Sequence, residues 1–126
     1  MTKTLATLFG VVFLLIGVLG FVPSITKDEM LFGIFHVNMA HNVVHLLSGA
    51  IALWAGMTSI GASRIYFRVF GVVYGLVAVL GFMTPEGPVL GMVSNNPADT
   101  YLHVGIALVS LIAGFAPMGS SATSTT

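Results

Sequence analysis

The chain has 126 residues, and only eight are charged, four basic and four acidic, for a formal net charge of zero. Charged residues are 6% of the chain and hydrophobic residues 56%, against roughly 25% charged in an ordinary soluble domain. So few charges cannot cover a water-soluble fold, which excludes that class and leaves an integral membrane protein. Zero net charge without a basic patch excludes nucleic-acid binding. The absence of Cys removes disulfides, thiolate metal sites, iron–sulfur clusters and covalently attached haem.

Four apolar segments are long enough to cross a bilayer, which takes about 20 residues each. They run from about Leu5 to Val22, Met39 to Met57, Tyr66 to Met83 and Thr100 to Met118. None has a charge in its middle. Lipid offers no partner to a free backbone group, and the segments lack the strict alternation of barrel strands, so they are predicted helices. The expected fold is an all-α integral membrane protein, a four-transmembrane-helix bundle in one domain over residues 1–118. The Ser- and Thr-rich residues 119–126 form a predicted disordered tail. A short connector is expected around Arg64. The other two connectors, about Pro23 to Asn38 and Thr84 to Asp99, are longer. Each holds an apolar piece too short to span, Leu31–Phe35 and Val89–Val93, expected to lie at the interface or to re-enter the bundle.

Lys3, Arg64 and Arg68 flank one face of the membrane. Lys27, Asp28, Glu29, Glu86 and Asp99 flank the other. By the positive-inside rule both termini and the Arg64 region are cytoplasmic. The start resembles a signal peptide ending near Val22-Pro23-Ser24, but the first span has a counterpart later in the chain, which argues for its retention.

Phe9–Phe21 and Phe70–Phe82 are identical at nine of thirteen positions, and Gly33–Gly56 aligns without a gap on Gly91–Gly114. The chain therefore reads as two tandem helical-hairpin repeats, about residues 5–57 and 66–118, related by a pseudo-two-fold axis along the membrane normal. Equivalent residues then share a depth. His45 meets His103, Asn38 meets Asn96, and His41 meets Asp99.

These residues form a predicted polar cluster on the outer side. Asn38 and Asn96 stand where helix N-caps belong, the second followed by Pro97 and Asp99. His41 and His45 share one helix face, as do Asp99 and His103. Counted from the caps, His45 and His103 lie about 10 Å inside the helix start, where ionisable groups face the bundle interior. Small residues continue these faces: Ser48, Gly49, Ala52 and Gly56 on one, Ala107, Ser110 and Gly114 on the other. They allow close helix approach or leave space for a flat ligand.

Three readings are open for the cluster. In the first, His45 and His103 hydrogen-bond each other or the backbone, and His41 pairs with Asp99. In the second, His45 and His103 bind a b-type haem, a chlorophyll-type pigment or a metal ion, for which neutral imidazole is a suitable ligand. In the third, the cluster relays protons or ions. His36 reads as an interfacial connector residue. Trp54, Tyr66 and Tyr101 read as interfacial aromatics, and Gly71-x-x-x-Gly75 as a packing motif. No nucleotide-binding loop, nucleophile triad or zinc-protease motif occurs, so no enzyme is expected.

Gly17-x-x-Gly20-Phe21-x-Pro23, His41-Asn42-x-x-His45-Leu46-x-x-Gly49, Gly71-Val72-x-Tyr74 and Ala98-Asp99-x-x-Leu102-His103 together resemble bacterial four-helix membrane proteins of the domain of unknown function family 4383. The resemblance covers roughly residues 9–114. It implies a four-helix bacterial membrane protein and supplies no activity; the expected location is the bacterial inner (cytoplasmic) membrane. The expected function is a small non-enzymatic membrane protein, an accessory or structural subunit of a larger membrane complex. Its expected partners are lipid and other subunits, or further copies of itself. A cofactor-binding protein using His45 and His103 is the alternative, and a small transporter the third.

Overall fold

The computed structural model describes residues 1–85 and 88–117. Glu86 and the expected disordered tail at 119–126 lie outside the described residues. Four helices carry the described fold: α1 (Thr2–Leu19), α2 (Met39–Thr58), α3 (Ile60–Met83) and α4 (Pro97–Phe115). Three of them, α1, α3 and α4, are long and apolar enough to cross a membrane. Helix α2 is 20 residues long, but His41, Asn42 and His45 near its start lower its hydropathy.

The connector expected around Arg64 is shorter and earlier than predicted. It is Ser59 alone, in extended backbone, and its side chain accepts a hydrogen bond from the Ala62 N–H at 2.9 Å, capping α3. Arg64 and Arg68 therefore belong to α3. They donate to the last carbonyls of α4, Arg68 Nε to Gly114 at 2.7 Å and Arg64 Nη1 to Ala113 at 3.4 Å. Cations at a helix C-terminus complement its unpaired carbonyls and its dipole.

Helix α1 packs along α2 and α3 along α4, each far more extensively than α2 meets α3. Glycines set these close approaches. A Cβ on Gly10 would stand 2.6 Å from the Leu53 nitrogen, and one on Gly49 would stand 2.8 Å from the Leu14 nitrogen. Across α3 and α4, Gly71 faces Leu111 and Gly114 faces the Arg68 backbone. The small faces are thus filled by neighbouring helices. Of the Gly71/Gly75 motif only Gly71 packs, while Gly75 meets open space. Near the Ser59 turn the core joins Ala6, Ala52, Ala55, Tyr66 and Phe67, and toward the connectors it joins Phe13, Tyr74, Ile106 and Ala107. Tyr66 is only 4% exposed. It stacks on Phe70 at 4.4 Å instead of lining the interface. Trp54 and Tyr101 are exposed, as expected of interfacial aromatics.

The described parts of the long connectors form tight hairpins over one end of the bundle. The first forms an antiparallel meander of two-residue strands, β1 (Thr26–Lys27), β2 (Met30–Leu31) and β3 (Phe35–His36). Phe32-Gly33 links β2 to β3 with φ of +55° and +71°, and Leu90-Gly91 repeats this with +56° and +70° inside the Val89–Val93 bridge. Two successive positive φ values are what a type I′ hairpin turn needs, with glycine easing the second position. The two apolar pieces are therefore turns, not re-entrant segments. Leu31, Val37 and Val89 are buried, while Phe32, Ile34, Leu90 and Met92 point outward.

Candidate functional site

The site is built from the first turns of α2 and α4 and the connectors above them. Asn38 Oδ1 accepts from the His41 N–H at 2.9 Å, and Asn96 Oδ1 accepts from the Asp99 N–H at 2.9 Å. Asp99 Oδ2 accepts in return from the Asn96 N–H at 3.0 Å, completing a capping box. The two asparagines thus cap their helices as predicted. Their amide groups do more. Asn38 Nδ2 donates to the Met92 carbonyl and Asn96 Nδ2 to the Ile34 carbonyl, both at 2.9 Å. His41 Nδ1 donates to the Ser94 carbonyl at 2.8 Å, and Asp99 Oδ2 accepts from the His36 N–H at 3.1 Å. Each connector is therefore stitched to the helix start of the other hairpin.

His41, His45 and His103 are buried together, each at most 4% exposed. One nitrogen from each can be chosen so that all three lie within 4.8 Å of one another. His41 Nε2 is 2.9 Å from His45 Nε2, and the two rings stack at 4.8 Å and 13°. The His103 ring lies 5.9 Å from that of His41. A carbonyl can only accept, so a neutral His41 carries its proton on Nδ1 and presents a lone pair at Nε2. His45 Nε2–H then donates to it, which leaves His45 Nδ1 bare. That atom and His103 Nδ1 are buried with no hydrogen-bond partner among the described residues. Phe13 packs edge-on against His45 at 5.5 Å, and the Tyr74 ring lies 5.7 Å from His103.

These contacts differ from the pairing expected of a purely structural cluster. His41 bonds Ser94 and His45 instead of Asp99, whose carboxylate is held by two backbone N–H groups. His45 finds its partner one turn away in its own helix, not across the axis at His103. His36 is more than an interfacial residue. Its backbone reaches Asp99, and its ring lies 3.6 Å from Glu29 Oε1. Tyr74, unassigned in the sequence reading, donates to Ser48 Oγ at 3.1 Å. The available signal was the repeat itself, which sets Tyr74 where the first copy has Phe13.

A cavity of about 40 Å³ adjoins the cluster, lined by His41, His45, Asp99, Leu31 and Phe35 among others. That is room for one water or one ion, since a water occupies roughly 30 Å³. A haem or chlorophyll macrocycle does not fit, because the three rings already pack against one another. A single metal ion does fit the donor set of His41, His45 and His103.

No curated protein and no solved structure gives a significant match. A family model does match, over residues 3–116, and the chain accordingly belongs to the family described as Domain of unknown function (DUF4383).

Proposed function

We propose that the protein is a four-span integral membrane protein, with α2 as the fourth span, that binds or supports other components and catalyses no reaction. The observation that carries this reading is the division of α2 into two faces. Val43, Val44, Leu47, Ile51 and Trp54 are exposed, whereas His41, Asn42, His45 and Ser48 are buried. The outward face of α2 is thus as apolar as those of the other helices, which expose residues such as Leu15, Leu76 and Ile112. A polar interior inside an apolar perimeter suits lipid as the solvent. The two hairpins are tandem copies in this reading, supported by the paired Asn caps and the matching turns at Phe32-Gly33 and Leu90-Gly91. The positive-inside rule applied to Lys3, Arg64 and Arg68 supports a reading with both termini in the cytoplasm, for a chain we assign to the inner membrane of a bacterium.

The chain has no Cys, so single introduced cysteines report topology cleanly. Lys27→Cys is expected to react with an impermeant maleimide from outside the cytoplasmic membrane. Lys3→Cys and Thr58→Cys are expected to react only after permeabilisation. Labelling of Thr58→Cys from the same side as Lys27→Cys would remove α2 from the spans.

The role we assign is that of an accessory subunit in a larger membrane complex, whose helices would lie against the apolar perimeter. In native membranes extracted with mild detergent, the 13.2 kDa chain is expected to co-migrate with larger proteins in fixed ratio. Consistent isolation as a lone chain or a pure homo-oligomer would overturn that role.

A further inference from the structure

We propose that His41, His45 and His103 form a binding site for one divalent late first-row transition-metal ion, of the zinc and cobalt class. The site goes beyond membrane residence and subunit assembly. Three imidazoles from two hairpins converge in an apolar setting, with donor nitrogens inside 4.8 Å of one another. Burying three polar rings is costly unless their hydrogen-bonding capacity is used. Here two nitrogens, His45 Nδ1 and His103 Nδ1, are fully enclosed and use none. An ion held among the rings would engage lone pairs that the protein alone leaves idle.

The surroundings are those of a metal site. His41 is oriented by its Nδ1–H bond to the Ser94 carbonyl at 2.8 Å. This is the usual way a metal-binding imidazole is fixed so that its other nitrogen offers a lone pair. Asp99 lines the adjoining cavity together with His41 and His45. It brings a carboxylate near a site whose three imidazoles are neutral. Its Oδ2 is taken by the His36 and Asn96 amides, and among the described residues Oδ1 makes no hydrogen bond. The cavity of about 40 Å³ accommodates one ion or the water that completes a coordination shell.

Binding requires the imidazole rings to turn and close on the ion. Zn–N bonds of about 2.0–2.1 Å in a tetrahedral shell set donor nitrogens about 3.4 Å apart. His41 would offer Nε2, and His45 and His103 the Nδ1 atoms that have no partner among the described residues; the His45 Nε2–H bond to His41 Nε2 would give way as the rings turn to the ion. The ligand set of imidazole without thiolate favours zinc, cobalt, nickel or copper over the hard ions calcium and magnesium. Binding would tie α2 to α4, and so one hairpin to the other.

The test uses the full chain, purified in mild detergent with an affinity tag free of histidine and stripped of metal. Co²⁺ is titrated while the visible spectrum is recorded. Zn²⁺ is titrated by calorimetry and its content is measured after dialysis. The expected results are one ion per chain and a Co²⁺ absorption band that Zn²⁺ abolishes. A rise in melting temperature with Zn²⁺ is expected too, since a ligand that binds only the folded state stabilises it. His45→Gln and His103→Gln keep the side chains polar and of similar size. Each is expected to weaken Zn²⁺ binding by more than the roughly 10- to 100-fold that outer-shell changes cost. His36→Gln, outside the ligand set, is expected to retain it. Less than stoichiometric binding by the wild-type chain would overturn the proposal, whatever the variants do. So would stoichiometric binding that survives both His45→Gln and His103→Gln. The cysteine-labelling pattern does not depend on metal, so a failed metal site leaves the membrane reading intact.

Discussion

At the scale of single residues, the same amino acid does different work according to what it faces. Gly49 lets α1 and α2 touch. A methyl group there would stand 2.8 Å from the Leu14 nitrogen and 3.0 Å from the Gly10 carbonyl oxygen, both backbone atoms that cannot turn aside. Gly49→Ala is expected to destabilise the protein by about 1–3 kcal/mol, the usual cost of overpacking, read as a lower melting temperature in detergent. Gly75 and Gly105 meet nothing within 4 Å. Gly75→Ala and Gly105→Ala are expected to be neutral or to stabilise by up to about 1 kcal/mol, from helix propensity alone. Tyr74→Phe keeps the ring beside Phe13 and His103 and removes the donor to Ser48. Its expected cost is about 0.6 kcal/mol, the average for side-chain hydrogen bonds between membrane helices. A much larger loss would mean that this hydroxyl organises more of the polar interior than Ser48.

At the scale of elements, the starts of α2 and α4 were legible and the second partners of their caps were not. Asn96-Pro97-Ala98-Asp99 announces an N-terminus because the spacing of cap and third residue is local. The same logic extends to Asn38 through the repeat. Each asparagine, however, also donates its Nδ2 to a carbonyl 54 or 62 residues away, and no local pattern encodes that. Asn38→Asp and Asn96→Asp keep the capping oxygen and replace the donor with an acceptor facing a carbonyl. Each is expected to cost roughly 0.5–1.5 kcal/mol, the net worth of a hydrogen bond whose left-over carbonyl can turn to water. Their helix content by circular dichroism is expected to be unchanged. Loss of helix would show that capping, not the bridge between hairpins, had been removed.

At the scale of the whole molecule, the two hairpins are joined covalently by Ser59 and non-covalently by the crossed connectors, by modest α2–α3 and α1–α3 contacts and by the buried polar cluster. Residues 1–58 and 59–126, expressed as separate chains in one cell, are therefore expected to co-purify. Asn38→Asp combined with Asn96→Asp is expected to reduce their recovery as a pair. Hairpins that never associate would show that the covalent turn, and not the connectors, holds the halves together.

The sequence by itself determined that the chain is apolar enough for a membrane, roughly where its helices run, where α2 and α4 start, and that His41, His45, Asp99 and His103 gather near one end. Those features follow from composition, from the period of a helix and from local capping chemistry, all readable over a few residues. Only the tertiary structure decided which of these groups touch. His41 turns to Ser94 and His45 because the second connector brings a carbonyl to its ring, and Asp99 is claimed by the His36 amide because the first connector reaches across. Equal depth in a repeat fixes height in the membrane but not rotation about the helix axis or the path of the loops. That freedom separates a pair of histidines facing each other from the three that cluster here.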